Sequence, residues 1–314
     1  MAEARETLEE PILTGNGGPT DLAAMEPDLL DVEPDQTVAS GRRRRSFQFG
    51  WWLACGWLIL VVGAALLAPI LPLWEPGTPD YTNVAGGLSA SHPLGGDAIG
   101  RDNLSRLIYG ARASLLVGLS AVVLGAVIGG LLGIIAGYVG GKVERVLLTL
   151  TDATLAFPGL VLLIAAVAVF GASMTVIIVG LAVLSIPTFI RLARATTLVI
   201  VQREFVTAAR AYGARPMRVM LREVVPNVVL PVAAYGFIMV GVFIVAEGSL
   251  SFLGLGIPPP TPSWGSMIAA GRTELLTHPQ ISLIPAAVMF VTVLSINYVG
   301  ERTRKRFEVK DSNL

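Results

Sequence analysis

Long apolar stretches alternate with shorter polar segments along most of the sequence. Six stretches stand out, at approximately 51–73, 114–138, 155–170, 174–190, 229–252 and 281–298. A helix needs about 20 predominantly apolar residues to cross about 30 Å of hydrocarbon. The pattern therefore predicts an all-α polytopic membrane protein with six transmembrane helices. Only Gly171, Ala172 and Ser173 separate the third and fourth stretches, which predicts a tight helical hairpin at the membrane surface.

The composition agrees with a membrane protein. Apolar residues make up 53% of the 314 residues and charged residues only 15%, with a mean hydropathy of +0.68. A soluble domain carries about 25% charged residues. The composition excludes a collagen-like chain, a wholly disordered chain and a disulfide-stabilised scaffold, because Cys55 is the only cysteine.

The first 40 residues differ from the rest of the chain. They hold ten acids and a single base, Arg5, and no apolar period runs through them. We expect a cytoplasmic, disordered acidic tail over 1–46 that ends in a basic anchor, the four arginines at 42–45. The remaining chain is expected to divide into 47–111 with the first transmembrane helix and an extracytoplasmic loop, 112–305 with a core of five transmembrane helices, and 306–314 as a cytoplasmic tail.

Lys and Arg are unevenly distributed between the segments that flank the apolar stretches. With the N-terminus inside, 19 of the 23 basic residues fall on the inner side, and only Arg101, Arg106, Arg112 and Arg272 fall on the outer side. Cytoplasmic loops of membrane proteins carry an excess of Lys and Arg. The distribution predicts that both termini lie in the cytoplasm.

The second stretch carries four glycines at a spacing of four residues, Gly125, Gly129, Gly133 and Gly137. This spacing places them on one face of a helix, where a bare backbone lets another helix approach closely. Packing within this subunit is one interpretation of the stripe. A contact with a partner subunit or the lining of a pathway are the alternatives.

The cytoplasmic loop between the fourth and fifth stretches predicts two short helices joined by a glycine turn. Residues 204–212 are typical of the first helix, and Gly213 suits the left-handed position that ends it. Pro216 suits the first turn of a second helix that runs to Val225, before Pro226. A basic loop on anionic lipid would explain the arginines here, but not the cluster of alanines followed by a glycine turn.

Five charged residues lie outside, between the first and second stretches: Asp97, Arg101, Asp102, Arg106 and Arg112. Opposite charges at spacings of four and five predict an amphipathic, internally paired surface helix. A docking surface for a binding protein and a solvated structural loop are both compatible with this pattern.

Glu247 stands near the outer end of the fifth stretch, where an acid is costly and is a functional hypothesis by default. Because Ser249 and Ser251 follow it, a hydrogen-bonded structural role and a role in a transport path both stay open. His92 and His278 are far apart in sequence and are expected at the surface. Asp152 is expected to cap a helix or to pair with Arg145.

Catalytic and nucleotide-binding motifs do not stand out in the sequence. Gly140, Gly141 and Lys142 are followed by Val143, so they do not form a phosphate-binding loop. We therefore expect the chain not to be an enzyme by itself and to bind no metal or other cofactor of its own. A nucleic-acid partner is not expected either.

Three segments resemble one family of transport proteins. Thr207-Ala208-Ala209 followed by Gly213 resembles the Glu-Ala-Ala and Gly motif of permeases in ATP-driven, binding-protein-dependent importers. Val224-Val225-Pro226-Asn227 resembles the Leu-Pro-Asn end of the same segment. Thr207 stands where that motif usually has Glu. The segments at 92–112 and 247–267 are similar to the C-type permease subunit of dipeptide and oligopeptide ABC importers.

The resemblance implies a type I ABC importer permease fold in a bacterial inner membrane. It implies a homologous B-type permease as heterodimer partner, two ABC ATPase subunits that use ATP and Mg, an extracytoplasmic substrate-binding protein, contact with membrane lipid, and a peptide substrate. It also implies that the residues coupling the permease to the ATPases are Glu204, Thr207, Ala208, Ala209, Arg210, Gly213 and Pro226. A secondary transporter or a membrane-embedded enzyme is the alternative, although no repeated half or catalytic cluster supports either.

Overall fold

The computed structural model describes the backbone of residues 40–311 and the side chains of residues 49–304. The acidic tail expected at the N-terminus falls on residues 1–39, outside the described part. The described residues from Gln48 onward form one compact unit. The α-helices of the described residues are α1 (Ser40–Leu67), α2 (Asn103–Val139), α3 (Gly141–Leu155), α4 (Gly159–Phe170), α5 (Met174–Val201), α6 (Glu204–Ala211), α7 (Pro216–Val219), α8 (Val225–Phe252), α9 (Trp264–Ala270) and α10 (Gln280–Asp311).

Five helical segments are long and apolar enough to cross a membrane: Phe49–Leu67, Asn103–Val139, Met174–Val201, Pro216–Phe252 and Gln280–Arg304. A sixth span is formed if the bent pair α3 and α4 is counted as one. Within the described residues the regular structure is entirely helical. The all-α polytopic fold predicted from the apolar stretches is therefore confirmed.

The third span differs from the prediction of one helix over 155–170. The chain breaks at residues 156–158, and α3 and α4 meet at an angle of 80°. Pro158 explains the break, because a proline disfavours helical backbone at the residue before it. The 12 residues of α4 span only about 18 Å, too short to cross a bilayer alone. The turn after α4 has the predicted sharp geometry, with Gly171 at a φ of +83°.

The helix that follows Gly213 and begins at Pro216 does not end at Val225, which corrects the prediction. It passes through a π-helical turn, Met220–Val224, directly into α8. Pro226 lacks a backbone N–H, and the wider turn just before it accommodates that loss. The side-chain amide of Asn227 donates to the Glu223 carbonyl at 2.6 Å and so satisfies an acceptor within the irregular turn.

The start of α1 also differs from the predicted boundary, because the helix begins at Ser40 and includes the arginines at 42–45 that the sequence assigns to the tail.

The centre of the compact unit is a bundle of α2, α5, α8 and α10. Helix α2 is the longest element, with 37 residues and a length of about 55 Å. Its buried face includes Val117 and Ala121, which are fully enclosed. Phe189 of α5 packs edge-on against Tyr235 of α8, with ring centroids 5.7 Å apart. The long α2 thus connects the two ends of the molecule, where the candidate sites lie.

Candidate functional site

Helix α6 and the turn after it form the first candidate site. Gly213 has a φ of +78°, the left-handed backbone predicted for it. Its N–H donates to the Arg210 carbonyl at 2.9 Å, and the next amide, of Ala214, reaches back to the Ala209 carbonyl at 3.1 Å. These bonds satisfy carbonyls that the end of a helix would otherwise leave unpaired. The turn then leads into α7, with Pro216 as its first residue.

Helix α6 has a narrow inner face and a wide exposed face. Val206 is fully buried and Ala209 is partly buried against the core. The exposed residues of α6 and its C-terminal end are Glu204, Phe205, Thr207, Ala208, Arg210, Ala211 and Tyr212. Tyr212 is 92% exposed. A small-residue surface flanked by a base and an aromatic ring is thus available to another protein.

One tyrosine, which the sequence pattern did not single out, connects α6 to the bundle. Tyr138, near the C-terminal end of α2, donates its hydroxyl to the Pro216 carbonyl at 2.9 Å. The guanidinium of Arg210 lies 5.7 Å from the centre of the same ring, within the range of a cation–π interaction. One indication of this contact was present in the sequence, since Tyr138 directly follows Gly137, the last glycine of the stripe.

The glycine stripe of α2 faces α5. A Cβ atom at Gly129 would lie 2.6 Å from the Ile186 carbonyl oxygen and 2.7 Å from Phe189 Cβ. At Gly137 it would lie 2.8 Å from Thr197 Cβ. Real Cβ atoms do not approach other atoms this closely, so the two backbones meet at a distance that only glycine permits. Gly125 and Gly133 make corresponding contacts along the same helix.

Two ion pairs join α3 to α5. Arg194 donates through Nε to Glu144 at 2.6 Å, and Arg191 donates to Asp152 at 2.6 Å. Asp152 therefore neither caps a helix nor pairs with Arg145, contrary to expectation. Both arginines lie in the C-terminal half of α5, and the pairs hold the bent segment α3 against it.

The charged residues pair internally around Asp97, but the five do not form one surface helix, which corrects the prediction: Asp97 and Arg101 lie in the outer loop (residues 68–102), whereas Arg106 and Arg112 belong to α2. Asp97 accepts from Arg101 at 2.7 Å and lies 3.5 Å from Arg106 Nε. Asp102 caps the start of α2 by accepting from the Ser105 amide at 2.7 Å. Asp97, Asp102 and Arg106 are buried and Arg112 is exposed. Three of the five residues thus shape the loop from within.

His92 is not at the surface, contrary to expectation. It is 3% exposed, its Nδ1 lies 2.9 Å from Asp102 and its Nε2 lies 3.4 Å from Asp80. The ring of Trp74 stacks on it with centroids 5.1 Å apart. Hydrogen bonds from the hydroxyl and the amide of Thr82 lower the pKa of Asp80 below its usual value. The loop is therefore folded around a buried histidine.

Glu247 lies at the centre of a buried polar cluster. It is completely buried and accepts from Ser251 at 2.7 Å, from Ser263 at 2.8 Å and from Ser114 at 3.4 Å. Ser114 in turn accepts from the Trp264 amide at 3.2 Å. The predicted neighbour Ser251 takes part, and Ser114 and Ser263 were not foreseen because they are distant in sequence. The cluster joins α2, α8 and the start of α9 at the outer side.

Comparisons with known proteins identify the kind of membrane protein. A family model described as binding-protein-dependent transport system inner membrane component matches residues 129–309. The glutathione transport system permease proteins GsiD of Escherichia coli O157:H7 and of Shigella sonnei (strain Ss046) are each 39% identical over 283 residues, which cover 89% of this chain and 93% of the relative.

A solved structure, of the MetNI methionine ABC transporter in inward-facing conformations, contains a chain with a similar fold. The TM-score is 0.53 at 18% sequence identity, and the match covers 64% of this chain and 96% of that chain. At this identity the likeness establishes the fold alone. The extent of the family match and the 39% identity to GsiD show that this chain belongs to the binding-protein-dependent transport system inner membrane components and is a permease subunit of an ABC importer.

Proposed function

We propose that this chain forms half of the translocation path of an ATP-driven importer of small peptides, with a homologous permease forming the other half. Its relatives named as glutathione permeases support a short peptide or a peptide-like thiol as substrate. Both termini would lie in the cytoplasm, an orientation that the distribution of Lys and Arg supports. Two ATPase subunits would bind ATP and Mg, and an extracytoplasmic binding protein would deliver the substrate.

The exposed face of α6 is the observation that carries the coupling role. Ala208 and Thr207 are exposed on a helix whose opposite side packs against the bundle through Val206 and Ala209. Small side chains let a groove of an ATPase close around such a helix. Gly213 then sets the direction of the chain that leads through α7 into α8. Closure of the ATPase pair would shift α6 and so change the packing of the spans.

The outer loop is the proposed docking region for the binding protein. Its internal ion pairs and His92 hold the loop in one shape, and large apolar side chains project from it. Tyr81, Leu88 and Ile99 are exposed on this loop, and Arg112 is exposed near the start of α2. A preformed loop loses little conformational freedom on binding. The buried charges would support the docking surface, and the exposed residues would contact the partner.

The coupling role is tested in the reconstituted complex by Ala208→Trp, which places a large ring on the slim face of α6. We expect loss of substrate-stimulated ATPase activity while the permease keeps its normal abundance. The matched control is Val199→Trp, because Val199 is also exposed but lies on α5. Normal stimulation in Ala208→Trp would contradict the proposal. Competition of glutathione and of dipeptides for uptake tests the substrate class separately.

A further inference from the structure

The contacts of Tyr138 distinguish it from the other residues around the coupling helix. Its ring lies between the end of α2 and the loop that carries α6, and it bonds both sides of the glycine turn. Before the turn, Arg210 lies against the ring at 5.7 Å. After the turn, the Pro216 carbonyl accepts from the hydroxyl at 2.9 Å. A single side chain thus holds both helices that Gly213 joins.

The helix that carries Tyr138 is closely packed just before this residue. The preceding residue, Gly137, packs so closely on α5 that a Cβ atom there would lie 2.8 Å from Thr197 and 3.0 Å from the Arg194 carbonyl. Arg194 itself is paired with Glu144 of α3. The position of the ring is therefore determined by α2, α3 and α5 together. By contrast, α6 has eight residues and buries only Val206 completely, so it depends on contacts of this kind for its orientation.

We infer that Tyr138 is a positioning residue, which fixes the orientation of α6 relative to α2 and so sets how efficiently movement of the coupling helix reaches the spans. This inference rests on the proposed coupling role of α6. The hydroxyl and the ring make separate contributions, because one binds the Pro216 carbonyl and the other binds the Arg210 guanidinium. The hydrogen bond restrains the start of α7, and the cation–π contact restrains the end of α6.

The two contributions can be separated by substitution in the full complex. Tyr138→Phe removes the hydrogen bond and keeps the ring, Tyr138→Leu removes both contacts, and Arg210→Gln removes the cation alone. A hydrogen bond of this kind shifts an equilibrium by about 2- to 10-fold. We expect Tyr138→Phe to lower the number of substrate molecules transported per ATP hydrolysed by about that factor, and Tyr138→Leu to lower it further.

Tyr109 provides a matched control on the same helix. It lies near the outer end of α2, and its hydroxyl also donates to a backbone carbonyl, that of Ala68 at 3.3 Å. Tyr109→Phe should leave the transport-to-ATP ratio at the parental value. A decrease in Tyr109→Phe as large as that in Tyr138→Phe would overturn the inference, because it would show a general loosening of α2. Parental ratios in both Tyr138 variants would overturn it as well.

Hydrogen–deuterium exchange in the same complexes measures the attachment of α6 directly. The amides of α6 should exchange about 2- to 10-fold faster in Tyr138→Leu, which removes the ring, than in the parent, and Tyr109→Phe should not change them. Unchanged exchange in Tyr138→Leu would overturn the inference. This readout does not require that α6 bind an ATPase. If Ala208→Trp showed that α6 does not couple the permease to the ATPases, faster exchange of the α6 amides would still show that Tyr138 holds α6. Failure of the coupling proposal and failure of the Tyr138 inference are therefore distinguishable.

Discussion

The hydroxyl of Ser263 donates a 2.8 Å hydrogen bond to Glu247, although the two residues belong to different elements. Ser263 also caps α9, because its side chain accepts from the Ser266 amide at 3.1 Å. One carboxylate thus fixes the start of α9 against the outer end of α8. The completely buried carboxylate has three hydroxyl donors, as a buried polar group in a stable fold requires.

Replacing Glu247 should therefore destabilise the outer end of the bundle. Glu247→Ala leaves three buried hydroxyls without their acceptor, and we expect it to lower the free energy of unfolding by about 2–3 kcal/mol. Thermal unfolding of the purified protein measures this. Ser249→Ala is the control, since Ser249 is exposed and donates only to the Val245 carbonyl. Equal stability of the two variants would contradict the structural role. A stable Glu247→Gln variant that cannot transport would assign Glu247 to the path.

Alanine should lower the stability of the protein at one glycine of α2 and slightly raise it at the adjacent glycine. Gly129→Ala introduces a Cβ atom within 2.7 Å of two atoms of α5, whereas at Gly130 the nearest atom, of Val232, is 3.9 Å away. Overpacking costs about 1–3 kcal/mol. Alanine in an open helical position adds about 0.5–1 kcal/mol of stability. We expect lower membrane abundance for Gly129→Ala and normal abundance for Gly130→Ala, measured by immunoblot. The same abundance in both would contradict the close packing.

The backbone of Gly213 should limit which residues support transport. A Cβ atom at this position would contact nothing within 4 Å, so only the φ of +78° restricts the substitution. Gly213→Val places a β-branched residue in the left-handed region at a cost of about 1–3 kcal/mol. Asn tolerates this region. Transport assays should show a large loss for Gly213→Val and partial activity for Gly213→Asn. Full activity of Gly213→Val would show that the turn geometry is dispensable.

Two exposed positions test the orientation in the membrane. Tyr212 is 92% exposed and Leu276 is 99% exposed, so a cysteine at either would be accessible in a Cys55→Ser background. The distribution of Lys and Arg places Tyr212 inside and Leu276 outside. An impermeant thiol reagent added to intact cells should label Leu276→Cys and not Tyr212→Cys, and both should react after the membrane is permeabilised. Labelling of Tyr212→Cys in intact cells would show that this residue lies outside and that the predicted topology is wrong.

Local features were the most accessible to prediction from sequence. The apolar stretches predicted the membrane-spanning helices. In lipid, the backbone N–H and C=O groups of such a segment must bond to each other, and a helix achieves this within a single segment. Gly213 was recognised as a turn because few residues adopt a positive φ at low cost. The 80° break between α3 and α4 was missed, since the apolar run continues through Pro158. The π-helical turn before Pro226 was missed because it depends on how two helices join.

The fold class, the approximate positions of the spans other than the third, and the helix–turn–helix around Gly213 could be predicted from sequence, because each depends on residues that are close together in the chain. The helix bounds could not, since α2 begins at Asn103 and α5 continues to Val201, beyond the predicted apolar stretches. Which side chains meet depends on how the helices pack. Helix packing and the folding of the outer loop bring together three such pairs: Glu247 with Ser114, His92 with Asp80, and Tyr138 with Pro216. Hydrogen bonds act over about 3 Å, whereas the chain between such partners has no fixed path until the helices have packed.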